Sequence, residues 1–475
     1  MRDLAFFIAL IGLMPASLRF PHVGIMLWVW TALLGPQQFF YGFLQSVPLN
    51  KLAAAATFVA MFVQREKRRF YIDTHGVLLI ALLLVSTLSS VISISSQELT
   101  WTLFDKIYKM IVLAFMIPYL MRSRLRLHTL ALTVALALGF LGADEGLKFL
   151  ASGGGHHVLG VGTIGDNNSF AVAMLMSIPF MYYCSRYSVL KLLRFGWLGT
   201  IVLTLFSVIG TFSRGGFVGM LVMALSFIGT SKRKVLNFAL LIVLGIVLAQ
   251  FAPSSYSDRM HSIDDASSDD SFMGRVLAWK ISTLIALDRP LFGGGFHAVQ
   301  IPSVWAGYGS RFATLSFIPT PDAGEIPHAA HSIYFEVLGD LGFTGLFIFL
   351  GLLWCGWRNA GVVRRLTKGK ADLAWAYELA SMSRLSVLVY AVSGAALSMA
   401  YFEGLYIVLA MISVLRHMAE HELLGEVPKR FANLARPAVP APVPVPAGAL
   451  ATSRPQAMAA GRTVSGGGAL SGSAR

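Results

Sequence analysis

The chain is poor in charge. Only 13% of its 475 residues are Asp, Glu, Lys or Arg, while 56% are hydrophobic, and the mean hydropathy is +0.67. Soluble domains carry about 25% charged residues. So small a polar inventory cannot cover a water-soluble globule of this length, which excludes a soluble protein and leaves lipid as the solvent for most of the surface. Cysteine is almost absent. Cys184 and Cys355 are the only two, which excludes a disulfide framework and a Cys-based metal site. Acid is scarce too, at 24 Asp and Glu against 38 Lys and Arg, for a net charge of +14. The bases fall in short clusters between apolar runs rather than on one polar face, and this excludes nucleic-acid binding as the reason for the charge.

What is present is a long alternation of apolar runs and basic clusters. A helix needs about 20 residues to cross a bilayer. Spans are expected near 4–18, 22–46, 49–63, 76–95, 107–121, 128–150, 167–184, 195–213, 215–230, 235–251, 331–353, 385–401 and 402–416. The expected fold is all-α, a polytopic transmembrane bundle of about 12–14 helices, with a large periplasmic loop carrying short helices. The first run, after Met1-Arg2-Asp3, is read as a membrane anchor. Residues 20–46, rich in aromatics, Gly and Pro, fit one tilted helix, two short ones or a re-entrant segment equally well.

Five basic clusters set the orientation. They are Arg65 with Lys67–Arg69, Arg122–Arg126, Arg186–Arg194, Lys232–Lys234 and Arg358–Lys370. An even number of spans separates each from the next, so all can be cytoplasmic, as the positive-inside rule requires. That topology puts residues 151–168, the turn Ser213-Arg214-Gly215-Gly216 and the long segment 251–330 on the outer side. In the long segment eight acidic side chains stand against five basic ones, and a helix is expected over Phe272–Leu287. Residues 1–425 form the membrane domain, with 251–330 as its large loop. Residues 426–475, rich in Pro, Ala, Gly and Ser, form a disordered cytoplasmic tail.

Chemistry must then come from helix ends and loops. Arg214 at a glycine turn, with Arg275 and Arg289 flanking the loop helix, offers planar donor forks suited to phosphate oxygens; an Arg snorkelling to head groups is the plainer account of Arg214. His331 opens the helix after the loop and titrates near neutrality, as a base for a hydroxyl proton must. His328 and His331 with Glu336 could instead bind a metal, but the spacing matches no standard zinc motif. His156, His157, Asp166 and Asn167 form a further outer patch, as apt for an ordinary turn as for substrate contact. Asp144, Glu145, Lys148 and Glu403 lie in or near apolar spans; they mark either an ion path, as in a transporter, or simple pairing of Glu145 with Lys148.

His331-Ser332, nine residues and then Gly342-Phe343-Thr344-Gly345 resemble the His-Ser-x9-Gly-x-x-Gly motif of O-antigen ligases. Arg275–Trp279, Pro290–Gly295 and Ser213–Gly216 resemble the segments that accompany it in the wider ligase and polymerase family, although Val218 stands where the ligase pattern has Leu. The opening, to Pro36-Gln37-Gln38, is similar to the O-glycosylation ligases associated with exosortase A systems. The resemblance covers residues 1–425. It implies a multi-pass protein of the bacterial cell inner membrane that moves a glycan from a polyprenyl diphosphate carrier to an acceptor hydroxyl on a lipid, protein or sugar. It implies no cofactor and no metal. His331 would be the base, with Arg214 and Arg275 catalytic and holding the diphosphate. Arg289, His328, His156, Asp166 and Asn167 would contact substrate. A polymerase shares these motifs, and a polyprenyl-glycan transporter is the alternative of a different class.

Overall fold

A computed structural model describes residues 12–64, 71–162, 164–230, 270–318 and 320–421. The expected span 235–251, most of 4–18, the basic clusters at 65–69 and 232–234, and the tail lie outside the described residues. Among those residues the chain is all-α. The only β pairing is one isolated bridge, Val161 to Ile164.

Thirteen α-helices are named here in chain order. They are α1 (Pro21–Leu34), α2 (Leu49–Gln64), α3 (Thr74–Val91), α4 (Gln97–Leu120), α5 (Arg124–Ala151), α6 (Asn167–Tyr187), α7 (Lys191–Gly210), α8 (Arg214–Thr230), α9 (Asp270–Asp288), α10 (Pro302–Gly309), α11 (Ile333–Thr367), α12 (Ala374–Ser393) and α13 (Glu403–His421). Local chemistry fixes several starts. Asp73, Ser96, Ser123 and Asp166 cap α3 to α6, each side-chain oxygen accepting an otherwise unpaired N–H of the first turn.

Among the described residues five segments are long and apolar enough to cross a membrane: α3, α5, α7, α11 and the stretch Ala371–Ala396. Shorter apolar helices are α1, α2 and Arg214–Gly229. Bulky apolar side chains face outward where water would punish them: Phe62 is 88% exposed and Leu192 80%. This is a multi-pass membrane protein whose outer surface is solvated by lipid. Two helices lie at its centre. In α6 every residue from Ser169 to Met181 is buried, and in α13 every residue from Gly404 to Leu415. A helix buried all round needs apolar side chains all round, and both sequences supply them. Helices α5, α7, α8 and α12 pack on α6; α3, α4, α11 and α12 pack on α13.

Several boundaries differ from the sequence expectation. Residues 22–46 are not one span. Helix α1 stops at Gly35, in the left-handed conformation, and two short 3-10 turns follow, Pro36–Phe39 and Gly42–Ser46. Fourteen residues rise about 21 Å, short of the hydrocarbon thickness of about 30 Å. Helix α4 begins ten residues before the expected 107, because Glu98, Asp105, Lys106 and Lys109 hide its first turns from a hydropathy reading. The span expected at 385–401 is α12, ending at Ser393. Its polar residues Glu378, Ser383, Arg384 and Ser386 masked the first half, and residues 397–402 after it are irregular. Cys355 lies within α11 and Cys184 near the end of α6, and both are free and buried.

Basic residues collect at one end of the bundle. There Arg122 lies over Tyr71, which stacks on His417. Arg124 lies over Trp375, Arg186 faces Glu378 at 3.5 Å, and Arg364 lies over Tyr377. The starts of α4, α6, α8, α11 and α13 are at the other end.

Candidate functional site

At that other end three loops meet. Asn167 donates to the Thr211 carbonyl (2.9 Å) and Ser213 Oγ to Asn168 Oδ1 (2.7 Å). These bonds join the start of α6 to the turn that begins α8. A Cβ on Gly215 would rest 3.6 Å from the Ser393 carbonyl and 3.7 Å from Ala396, so the Arg214 turn packs against the break after α12. Ser398, in the same break, accepts the His331 N–H through Oγ at 2.9 Å. The Arg214 turn and His331 are thus fixed to one irregular segment, residues 393–398.

Helix α9 supplies the third wall. Trp279 Nε1 donates to the Ala330 carbonyl (2.5 Å), and its ring stacks on Phe335 at 5.0 Å between centroids and 9° between planes. The His328 ring sits over Gly274, where a Cβ would meet Nδ1 at 2.9 Å, and edge-on to Trp305 at 5.5 Å. The segment that carries His328 and His331 is therefore held against the first turns of α9, which also carry Arg275. Burial lowers the His331 pKa first, and the Arg275 charge lowers it further; Asp166 opposes them and His328 adds to the lowering. Arg275, Asp166, His328 and His331 share one electrostatic neighbourhood. The net lowering favours the neutral imidazole, the form that accepts a proton.

Arg289 sits apart. It donates to the Ile92 carbonyl at 2.8 Å. Fourteen residues of helix separate it from Arg275, about 21 Å at the helical rise. His156 is turned to Glu145 (2.7 Å), which also takes Lys148 (2.6 Å), and Asp144 takes Lys148 at 2.8 Å. The polar residues of the α5 end are thus spent on one another, with His156 as an added member. His157 lies against Phe212 at 5.2 Å, beside the Arg214 turn.

The glycines of the motif play a part that spacing did not reveal. Helix α11 breaks at Gly342, at φ 68° and ψ −167°. The loop after α9 docks into the break. Gly294 N–H donates to the Gly339 carbonyl (2.8 Å), Gly295 N–H to Asp340 (3.0 Å), and Phe343 N–H returns to Pro290 (2.9 Å). The two glycine motifs, Gly293–Gly295 and Gly342–Gly345, are one interlock between α9 and α11.

Sequence reasoning considered Glu336 of α11 only as a metal ligand and gave Asp340 no role. Glu336 accepts the Ala400 N–H at 2.9 Å. Asp340 accepts the His297 N–H (3.0 Å) and the Tyr401 hydroxyl (3.2 Å). Glu336 thereby ties the 398–400 backbone, and with it Ser398, to α11. It points to a backbone amide, not to a metal triad with His328 and His331. Among the described residues no three His, Cys, Asp or Glu side chains are grouped to hold a metal ion. Positive φ marks the same end. Phe212 (51°), His297 (56°) and His331 (42°) are the non-glycine cases among the described residues, and backbone strain of this kind gathers at functional sites.

Residues 1–189 match a family of unknown function, DUF5935. No curated protein matches the chain. Residues 199–350, which hold Arg214, Arg275, Arg289, His328 and His331, match the O-antigen ligase family, and this similarity supports a glycan-transferring membrane enzyme, ligase or polymerase, at the level of the family.

Proposed function

We propose that the chain is a membrane glycan ligase. It transfers an oligo- or polysaccharide from a polyprenyl diphosphate carrier to an acceptor hydroxyl at the periplasmic face of the bacterial inner membrane. His331 takes the hydroxyl proton as the acceptor oxygen attacks the anomeric carbon. The bond from that carbon to the phosphate oxygen breaks, its electron pair stays on the diphosphate, and the configuration inverts. Arg214 and Arg275 hold the charge that develops on the leaving group, the stabilisation expected to matter most in such a displacement. Guanidinium groups fill the part a divalent cation plays elsewhere, so the reaction needs no metal.

The observation that supports this reading is the gathering of a neutral-leaning imidazole with Arg275 and Asp166 at the end of the bundle away from the basic clusters. If those clusters face the cytoplasm, the site faces the periplasm. Arg275 is the better second clamp than Arg289, which is engaged at the far end of α9. His328, Asp166 and Asn167 border the place where the glycan would sit.

The test uses purified full-length protein and a polyprenyl-diphosphate-linked glycan, with products identified by mass. His331→Ala should lose transfer by about 10²–10⁴-fold and still bind donor. Arg214→Ala should weaken both. Normal turnover by His331→Ala removes the base assignment. A product that is a longer glycan still on its carrier identifies a polymerase instead.

A further inference from the structure

A cavity of about 290 Å³ opens between α1, α2 and α4, and none of the residues that line it belongs to the site around His331. One part of its wall is apolar, with Trp28 and Phe58 meeting edge-to-face at 6.1 Å. The other is polar, with Asn50 and Lys51 at the start of α2 and Asp105 and Lys109 on α4. Lys109 pairs with Asp105 one turn away. Two ammonium groups against one carboxylate leave the polar wall cationic. The start of α2 is at the same end as His331: Gln38, in the connection that leads from α1 to it, lies against Gly162 of the outer loop.

Lysines here are out of pattern. Lys51 lies in the first turn of α2, at the end that lacks basic clusters, where the positive-inside rule disfavours a casual Lys, and Lys109 lies midway along α4. Ionisable groups among apolar spans default to a functional role. A lysine that merely snorkels would reach out along the lipid surface; Lys51 and Lys109 instead both line the cleft that Trp28 and Phe58 also wall. A cationic rim above an apolar slot is the shape of a phosphate head group followed by a hydrocarbon chain. Lys106, on the next face of α4, carries the charge inward: with burial it lowers the His297 pKa, beside Asp340.

The geometry points to a second binding site, in the cleft between α1, α2 and α4, for a lipid phosphate head group held by Lys51 and Lys109. It gives a role to residues 1–189, the part of the chain that matches a family of unknown function. It does not depend on the transfer reaction.

The experiment uses the full chain in nanodiscs of phosphatidylcholine, doped with increasing fractions of a lipid carrying bromine in its chain. The doped lipid is phosphatidylglycerol, polyprenyl phosphate or phosphatidylcholine itself. Quenching of Trp28 is taken as the difference between the chain with Trp28 and Trp28→Phe, since eight other tryptophans are present. An anionic lipid should reach half-quenching at a mole fraction at least tenfold below brominated phosphatidylcholine. The double variant Lys51→Gln/Lys109→Gln should abolish that preference, and Lys51→Arg/Lys109→Arg should keep it, which separates lost charge from lost fold. Preference for phosphatidylglycerol identifies a membrane glycerophospholipid; preference for polyprenyl phosphate identifies a carrier lipid. Equal titration by anionic and zwitterionic lipid, or an unchanged preference in the Gln variant, overturns the site. His331→Ala should leave this binding intact, so its outcome is independent of the ligase reading.

Discussion

Gly342→Ala should uncouple α9 from α11. At φ 68° and ψ −167° the residue occupies a region that is essentially glycine-only, where any other side chain costs about 1–3 kcal/mol. A Cβ there would lie 2.6 Å from the Pro290 carbonyl oxygen and 2.9 Å from both the Arg289 oxygen and the Gly293 nitrogen. All three are backbone atoms, so no side chain can swing aside. Relief comes from lifting the Pro290–Gly295 loop out of the break. That forfeits the bonds from Gly294, Gly295 and Phe343, at about 0.5–1.5 kcal/mol each. The docked state should lose about 3 kcal/mol, roughly a 100-fold change in its population.

Hydrogen exchange reads this directly. The amides of Gly294 and Gly295 should exchange on the order of 100-fold faster in Gly342→Ala, at the same roughly 3 kcal/mol. Transfer should fall with them, because Arg275 rides on α9 and His331 on the segment before α11. Gly361→Ala is the control. It lies in the same helix, and a Cβ there meets nothing within 4 Å, so it should be neutral or stabilising by about 0.5–1 kcal/mol. Unchanged exchange at Gly294 and Gly295 together with full turnover in Gly342→Ala would refute the interlock.

Other predictions follow from the same geometry. Burial and Arg275 lower the His331 pKa, so transfer should hold down to a pH below 6.5 and fail as His331 protonates; Arg275→Gln removes a lowering charge, and the acid limb of the rate profile should move to higher pH whatever its height. Asp166→Asn removes a raising charge but keeps a capping oxygen for α6, so the limb should move to lower pH with the fold intact, whereas Asp166→Ala also loses the cap, at about 0.5–2 kcal/mol in thermal unfolding. Lys280 is buried and donates to the Ile318 carbonyl (3.2 Å) and Thr320 Oγ1 (3.0 Å); Lys280→Ala leaves those acceptors unpaired, at about 1–3 kcal/mol, and proteolysis should then cut the 310–325 segment faster. Transfer by protein stripped with a strong chelator should equal that of untreated protein.

Much of the membrane fold was legible because lipid imposes a strict pattern: apolar runs of spanning length, separated by clustered bases. The failures came where protein replaced lipid as solvent. The first half of α12 and the first turns of α4 carry charge, and a hydropathy reading stops at charge. In the structure Glu378 is met by Tyr187 and Arg186, and Arg384 lies over Trp357 at 3.6 Å. Burial against partners from distant sequence makes those residues affordable, and no local window contains the partners. Similarly, Arg275 and Arg289 looked equivalent as two flanks of one helix. Only the docking of each end, one to the His328–His331 segment and one to Ile92, separates them.

The ligase-like motif divides into parts that do different work. Its glycines interlock α9 with α11, and that is why their spacing from His331 is fixed: Gly342 must reach the loop after α9 while His331 reaches the far turn of the same helix, near Arg275. Helices α9 and α11 are held in register at two points, Trp279 on Phe335 and Gly294 on Gly339. Insertion of one residue between Ser332 and Gly342 would rotate His331 by about 100° about the axis of α11. It should abolish transfer while leaving the Gly294–Gly339 amide protected. Retained transfer in that insertion variant would show that the base lies elsewhere.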